Sequence, residues 1–322
     1  MNYRRVQEEN HKKTRNVMIL YIVIFLCIGL LADTIFNVEL LTNNPNMGLL
    51  TAMGITFNEI ISLQRIPMIS LIMGGISLLI IWIAIKFGNK LVLAGNEYVR
   101  IDNKENKDQE EEQLINIVEE LVISSRLRYK PEVYIIEADY MNAFASGWKE
   151  ENSLVAITRG LMNKLTRSEI EAVMAHEMAH IKNADVRLTL VVGILTNVML
   201  FVVDRLFYST MGRGGNSKAA QQARIVILVL QIILPILTIV LQMYLSRTRE
   251  YLADSGATEF TGNPEALATA LEKISGDYDY NKYEDDNKTR NAAYIFSPTK
   301  LFSTHPPIEE RIAALRNKKR RS

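Results

Sequence analysis

Two long uncharged runs constrain this chain more than any other feature. Residues 17–32 and 66–85 contain no Asp, Glu, Lys or Arg and consist mainly of Ile, Leu, Val, Met and Phe. About 20 apolar residues in a helix span the hydrocarbon of a bilayer, so both runs read as membrane helices. The first, taken over 17–36, is slightly short unless it continues past Asp33. Leu31-Ala32-Asp33 is a poor match to a signal-peptide cleavage site, so the run reads as an anchor rather than a cleaved leader. Arg4, Arg5, Lys12, Lys13 and Arg15 precede it, and Lys86 and Lys90 follow the second run. The tendency of basic flanks to stay in the cytoplasm puts both flanks there and residues 33–65 outside.

The remainder cannot all be membrane. The chain of 322 residues is 48% hydrophobic yet 23% charged, which requires soluble segments between the apolar ones. A net charge of +1 gives no reason to expect a nucleic-acid partner. Four segments follow from the alternation. Residues 1–95 form a charged leader and two membrane helices, and 96–187 a soluble part. Residues 188–246 form an apolar hairpin, and 247–322 a second soluble part. Within the hairpin, run 188–203 is short and run 225–246 contains Pro235, while Arg205, Arg213, Lys218 and Arg224 lie between them. Two full spans, or a re-entrant or surface-lying hairpin, both remain open. His11 reads as part of a solvated leader, Cys27 as a packed or lipid-facing thiol, and the Lys318–Arg321 tail as a solubilising end.

Local signals in the soluble part predict helices and strands. Leu114, Ile117, Val118, Leu121 and Val122 recur at helical spacing behind Glu110–Glu112. Val133–Ile136 and Ser153–Thr158 read as strands. Thr166 and Glu169 form a capping box that opens a helix running to about Asn183.

That helix carries Ala175-His176-Glu177-Met178-Ala179-His180. Residues four apart share a helical face, so both imidazoles can reach one ion, and Glu177 can reach a water on it. A metal lowers the pKa of that water and the carboxylate takes its proton. With one cysteine and four histidines in the chain, any third ligand must be His, Asp or Glu. Ile181–Val186 lacks the Gly and His of the metzincin pattern, so the ligand lies elsewhere. Glu250 and Asp254, at i and i+4, are candidates: Glu250 for the metal and Asp254 for orienting a ligand histidine. On spacing alone an ordinary charged helix face explains them equally well.

Four separated motifs occur in order: Asn142-Ala143-Phe144-Ala145-Ser146-Gly147, His176–His180, Ser246–Asp254 and Thr304-His305-Pro306-Pro307. Together they resemble the HtpX-type membrane zinc metalloproteases, bacterial relatives of the CAAX prenyl endopeptidases, over roughly residues 110–317. The resemblance implies an α+β, mainly helical zincin-type domain with a small sheet, anchored by two to four transmembrane helices. It implies one Zn2+ per subunit held by His176, His180 and Glu250, with Asp254 and Arg311 in support. It gives His305 a place at the reacting carbonyl, beside Glu177 as the other catalytic residue. It makes Asn142, Ala143, Phe144 and Ala145 an edge strand that pairs with substrate backbone. The implied enzyme is an endopeptidase of the bacterial inner membrane, its site facing the cytoplasm. Its implied partners are the lipid bilayer and misfolded membrane or unfolded protein substrates, in quality control under stress. The charged leader and the basic loop 205–224 depart from the family pattern. The charges around His176 argue against a protease working inside the membrane. The short membrane region argues against a prenyl-processing chamber, and Glu177 argues against a non-catalytic zinc adaptor.

Overall fold

A computed structural model of the chain describes residues 2–35, 49–62, 64–94, 97–211, 247–277 and 306–319, with a few positions between 228 and 236. The described helices are α1 (Tyr3–Ile35), α2 (Leu49–Ile61), α3 (Met68–Leu93), α4 (Gln109–Ser125), α5 (Arg159–Lys164), α6 (Arg167–Asn183), α7 (Val186–Met211), α8 (Arg247–Thr261), α9 (Pro264–Asp277) and α10 (Ile308–Lys319). Four strands, β1 (Tyr98–Arg100), β2 (Glu132–Ile136), β3 (Ala143–Ser146) and β4 (Leu154–Thr158), form one sheet in the order β1-β2-β4-β3. The architecture is mainly helical with a small mixed sheet, as the sequence implies. Two described helices, Tyr3–Leu30 and Met68–Leu93, are long and apolar enough to cross a membrane.

The chain divides into two compact units, 1–14 with 84–194 and 242–322, and 15–83 with 195–241. In the second unit, α1 and α3 meet where a Cβ on Gly29 would lie 2.4 Å from the Ser70 Cα, an approach that glycine permits. Asp33 does more there than end an apolar run. Its carboxylate accepts the Ile69 and Ser70 backbone N–H groups, both at 2.9 Å, and the Ser70 hydroxyl at 2.7 Å. These are the orphan donors of the α3 N-terminus. Helix α2 falls in the 33–65 segment, for which the sequence suggested no element.

The first unit is built around α4, α6 and the sheet. Asp108 and Glu111 form a reciprocal capping box at the start of α4, which buries Leu114, Ile117, Val118 and Leu121. These side chains join Val133 and Ile135 of β2, Val155 and Ile157 of β4, and Ile170, Val173 and Met174 of α6 in one core. Strands β2 and β4 are parallel, Val133 opposite Val155, while β3 pairs antiparallel with β4 and, among the described residues, forms the sheet edge. The three-residue β1 pairs with β2 and has no local sequence signal.

The leader is not an appendage. Residues 3–14 continue α1 without a break and belong to the first unit. The Tyr3 hydroxyl donates to Glu259 at 2.9 Å. Gln7 Nε2 donates to the Lys182 carbonyl at 2.7 Å and Asn10 Nδ2 to the Asn183 carbonyl at 2.9 Å. Those carbonyls end α6 and have no partner within their own helix. The run 188–203 is likewise part of a longer element, the 26-residue α7. Most of 212–246, including most of the second hairpin run, lies outside the described residues.

Candidate metal centre

Helix α6 places its functional side chains by purely local rules. Thr166 and Glu169 make the capping box that the sequence predicts, with the Thr166 N–H donating to Glu169 at 2.8 Å. The helix ends at Ala184, in left-handed conformation, and the Asp185 N–H then donates to the His180 carbonyl at 3.3 Å. This turn brings the Asp185 carboxylate beside the His180 ring.

Helix α8 supplies the third group because it lies unusually close to α6. A Cβ on Gly256 would sit 2.7 Å from the Ala179 Cβ, so only glycine permits that spacing. His176, His180 and Glu250 are all buried, and one ligand atom from each lies within 4.8 Å of the others. The two Nε2 atoms are 3.1 Å apart, and Glu250 oxygens lie 3.7 and 3.8 Å from them. A tetrahedral ion with bonds of about 2 Å sets its donors about 3.3 Å apart, so this spacing fits one.

The outer nitrogens are also held. His176 Nδ1 lies 3.0 Å from Asp254, and His180 Nδ1 lies 3.0 Å from both oxygens of Asp185. Carboxylates there hold the proton on Nδ1 and turn each Nε2 lone pair inward. Arg311 on α10 is fully buried and grips Asp254 with two bonds, Nε at 3.0 Å and a terminal nitrogen at 2.7 Å. It also lies 3.7 Å from Glu250. Arg249, buried as well, lies 3.3 Å from Glu250 and donates to the Thr189 hydroxyl.

Burial pushes the His176 imidazole down to about 4, although its bond to Asp254 pulls the other way. Burial works on His180 in the same sense, but the Asp185 carboxylate overrides it and pushes that ring up to about 9. Burial pushes the Glu177 carboxyl up to about 7. Asp254 is held near 2 against its burial, chiefly by the Arg311 guanidinium. A field that draws a proton onto His180 is negative, and a divalent cation answers the same field.

Glu177 lies beside this cluster on the α6 face toward β3. The Ala145 backbone N–H reaches its carboxylate, while Oε1 is buried and has no hydrogen-bond partner among the described residues. Asn142 is turned into its own strand: its N–H donates to Thr158 and its side-chain oxygen accepts from the Ala143 N–H. Ala143, Phe144 and Ala145 follow in β3. His305 lies outside the described residues. Nothing in the sequence marks Arg249 as part of the site, and Asp185 stands there as one of the charges around the helix. The only signal for Asp185 was a carboxylate placed just past the end of the histidine helix.

A model of peptidase family M48 matches residues 108–319, which include every described residue of this cluster. The chain belongs to peptidase family M48. It is a membrane metalloprotease. Among curated relatives, "Protease HtpX homolog" of Helicobacter acinonychis (strain Sheeba) is 44% identical over 317 residues, covering 98% of both chains. The protein of the same description from Helicobacter pylori (strain Shi470) is 45% identical over 316 residues, again 98% of each. Among solved structures, S. mikatae Ste24p aligns with a TM-score of 0.47 at 16% identity, over 97% of this chain and 66% of that one. Membership in M48 agrees with the resemblance that the four motifs carry in the sequence.

Proposed function

We propose that this M48 peptidase is a zinc endopeptidase in which His176, His180 and Glu250 hold one Zn2+ and Glu177 is the general base. The observation that carries this reading is the convergence of the two Nε2 atoms and Glu250, with the unpartnered Glu177 Oε1 beside them. When bound, zinc supplies Lewis-acid polarisation of a carbonyl and acidifies water. Glu177 takes a proton from the attacking water at Oε1 and returns it to the leaving amine as the C–N bond breaks. Burial favours its protonated form, which steadies it in the interval between the two transfers. Asp185 and Asp254 keep the imidazoles oriented, and Arg311 keeps Asp254 in place. Strand β3, at the sheet edge among the described residues, offers extended backbone for pairing with substrate main chain, which accepts many sequences. His305, which leads into α10 through Pro306 and Pro307, takes the oxyanion.

The site works at the cytoplasmic face of the bacterial inner membrane, on misfolded or damaged membrane proteins under stress. The basic flanks of α1 and α3 support that facing, and sequence-tolerant backbone pairing suits such substrates. The decisive comparison is between wild type and Glu177→Gln, assayed for zinc content and casein cleavage. The variant should keep its zinc and lose about 100-fold or more of its turnover. Normal turnover by pure variant protein would end the general-base assignment, and a chain that takes up no zinc would end the metal assignment.

A further inference from the structure

A cavity of about 560 Å³ lies away from the metal centre, where the leader part of α1, the turn after α4 and the end of α6 meet. All of its lining belongs to the first unit. Its wall carries five basic side chains against two acidic ones, Glu150 and Glu151. Both acids are already engaged. Glu150 accepts the backbone N–H groups of Arg128 and Tyr129, and Glu151 pairs with Lys149 at 3.2 Å. Lys182 donates to the Arg126 carbonyl at 2.9 Å. The guanidinium groups of Arg4, Arg126 and Arg128 are left, among the described residues, without a carboxylate partner.

We propose that this cavity binds a phosphate group carried by a small molecule or by a lipid headgroup. Three like charges gathered at one concavity repel each other unless an anion joins them. The guanidinium fork matches phosphate oxygens two at a time, which a lysine cannot do. The volume is that of a small-molecule site, larger than a bare phosphate needs. The rings of Tyr3 and Tyr129 on the same wall offer apolar contact to the body of such a ligand. Arg4 lies on the leader, whereas Arg126 and Arg128 belong to the catalytic part. A ligand bridging them fastens the leader, and with it Gln7 and Asn10, to the carbonyl end of the histidine helix.

The test uses the full-length protein, titrated calorimetrically with inorganic pyrophosphate in neutral detergent. The titration is then repeated in phosphatidylcholine nanodiscs with and without phosphatidylglycerol. Saturable pyrophosphate binding is expected, weakened at least tenfold in Arg4→Ala/Arg128→Ala, with slower amide exchange at residues 3–14 in the bound state. These two side chains are exposed, so the ligand-free melting temperature should not move; if it does, Arg4→Gln/Arg128→Gln carries the comparison. Loss of pyrophosphate binding only in the phosphatidylglycerol discs identifies the lipid as the phosphate source. Equal binding in both discs identifies a soluble ligand. No saturable binding of pyrophosphate and no phosphatidylglycerol-dependent protection of residues 3–14 would overturn the proposal. So would full binding by the double variants.

Discussion

Asp185 and Asp254 each hold the outer nitrogen of one imidazole, yet their surroundings differ. Asp185 serves His180 and sits on a turn, while Asp254 also carries two bonds from a fully buried arginine. Replacing Asp185 by Ala should weaken zinc affinity by about 10- to 100-fold, the usual cost of losing such a partner, with little change in melting temperature. Asp254→Ala should cost far more, about 3–5 kcal/mol of stability, because it breaks a buried ion pair as well as freeing His176. Zinc titration alongside thermal melting separates the two outcomes. Equal melting temperatures for the two variants would mean that Arg311 does not depend on Asp254.

Helix α8 reaches α6 only because Gly256 faces Ala179. A valine at 256 should force the helices apart, at about 1–3 kcal/mol, and carry Glu250 away from the histidines. Zinc content should fall with stability, and Ala179→Gly in the same chain should restore part of both. Unchanged zinc in Gly256→Val would show that the interface yields elsewhere. The other end of α6 depends on pH. Burial raises the Glu169 pKa, but the bond from Lys273 and the Thr166 N–H outweigh it, and the carboxyl is held below its ordinary value. Its folded pKa is lower than its unfolded one, so its contribution is complete above the unfolded value of about 4.3 and is lost as pH falls through the folded value. Denaturant melts of wild type and Glu169→Gln should therefore differ at pH 7 and converge in strong acid. A gap that persists into strong acid would refute this.

For the whole molecule, the proposed single ion between α6 and α8 requires both helices to lie on one side of the membrane. The chain between them, 188–246, therefore crosses an even number of times or not at all. With Cys27→Ser as background, Ser275→Cys in α9 should resist impermeant thiol reagents in intact cells and react after lysis. Labelling from outside would invert the proposed topology. The same proposal puts the leader on that side, because its donors cap the α6 carbonyls and residues 3–14 belong to the unit that holds the histidines.

Much of this was legible in the sequence because it is local. The spacing of His176 and His180 follows from the helical repeat, the start of α6 from Thr166 and Glu169, and the two apolar helices from the absence of charge. The resemblance of four motifs then named the family that the match over 108–319 shows. Spacing alone could not choose between Glu250 and Asp254, since both lie on one face of α8. Their separate places depend on how closely α8 approaches α6 and on Arg311 arriving from α10. The role of Asp185 depends on a left-handed turn at Ala184, which no glycine announces. The docking of Gln7 and Asn10 joins residues more than 170 positions apart. Contacts of that range leave no periodicity or motif behind, because they are set by packing between elements rather than by the dihedral preferences within one.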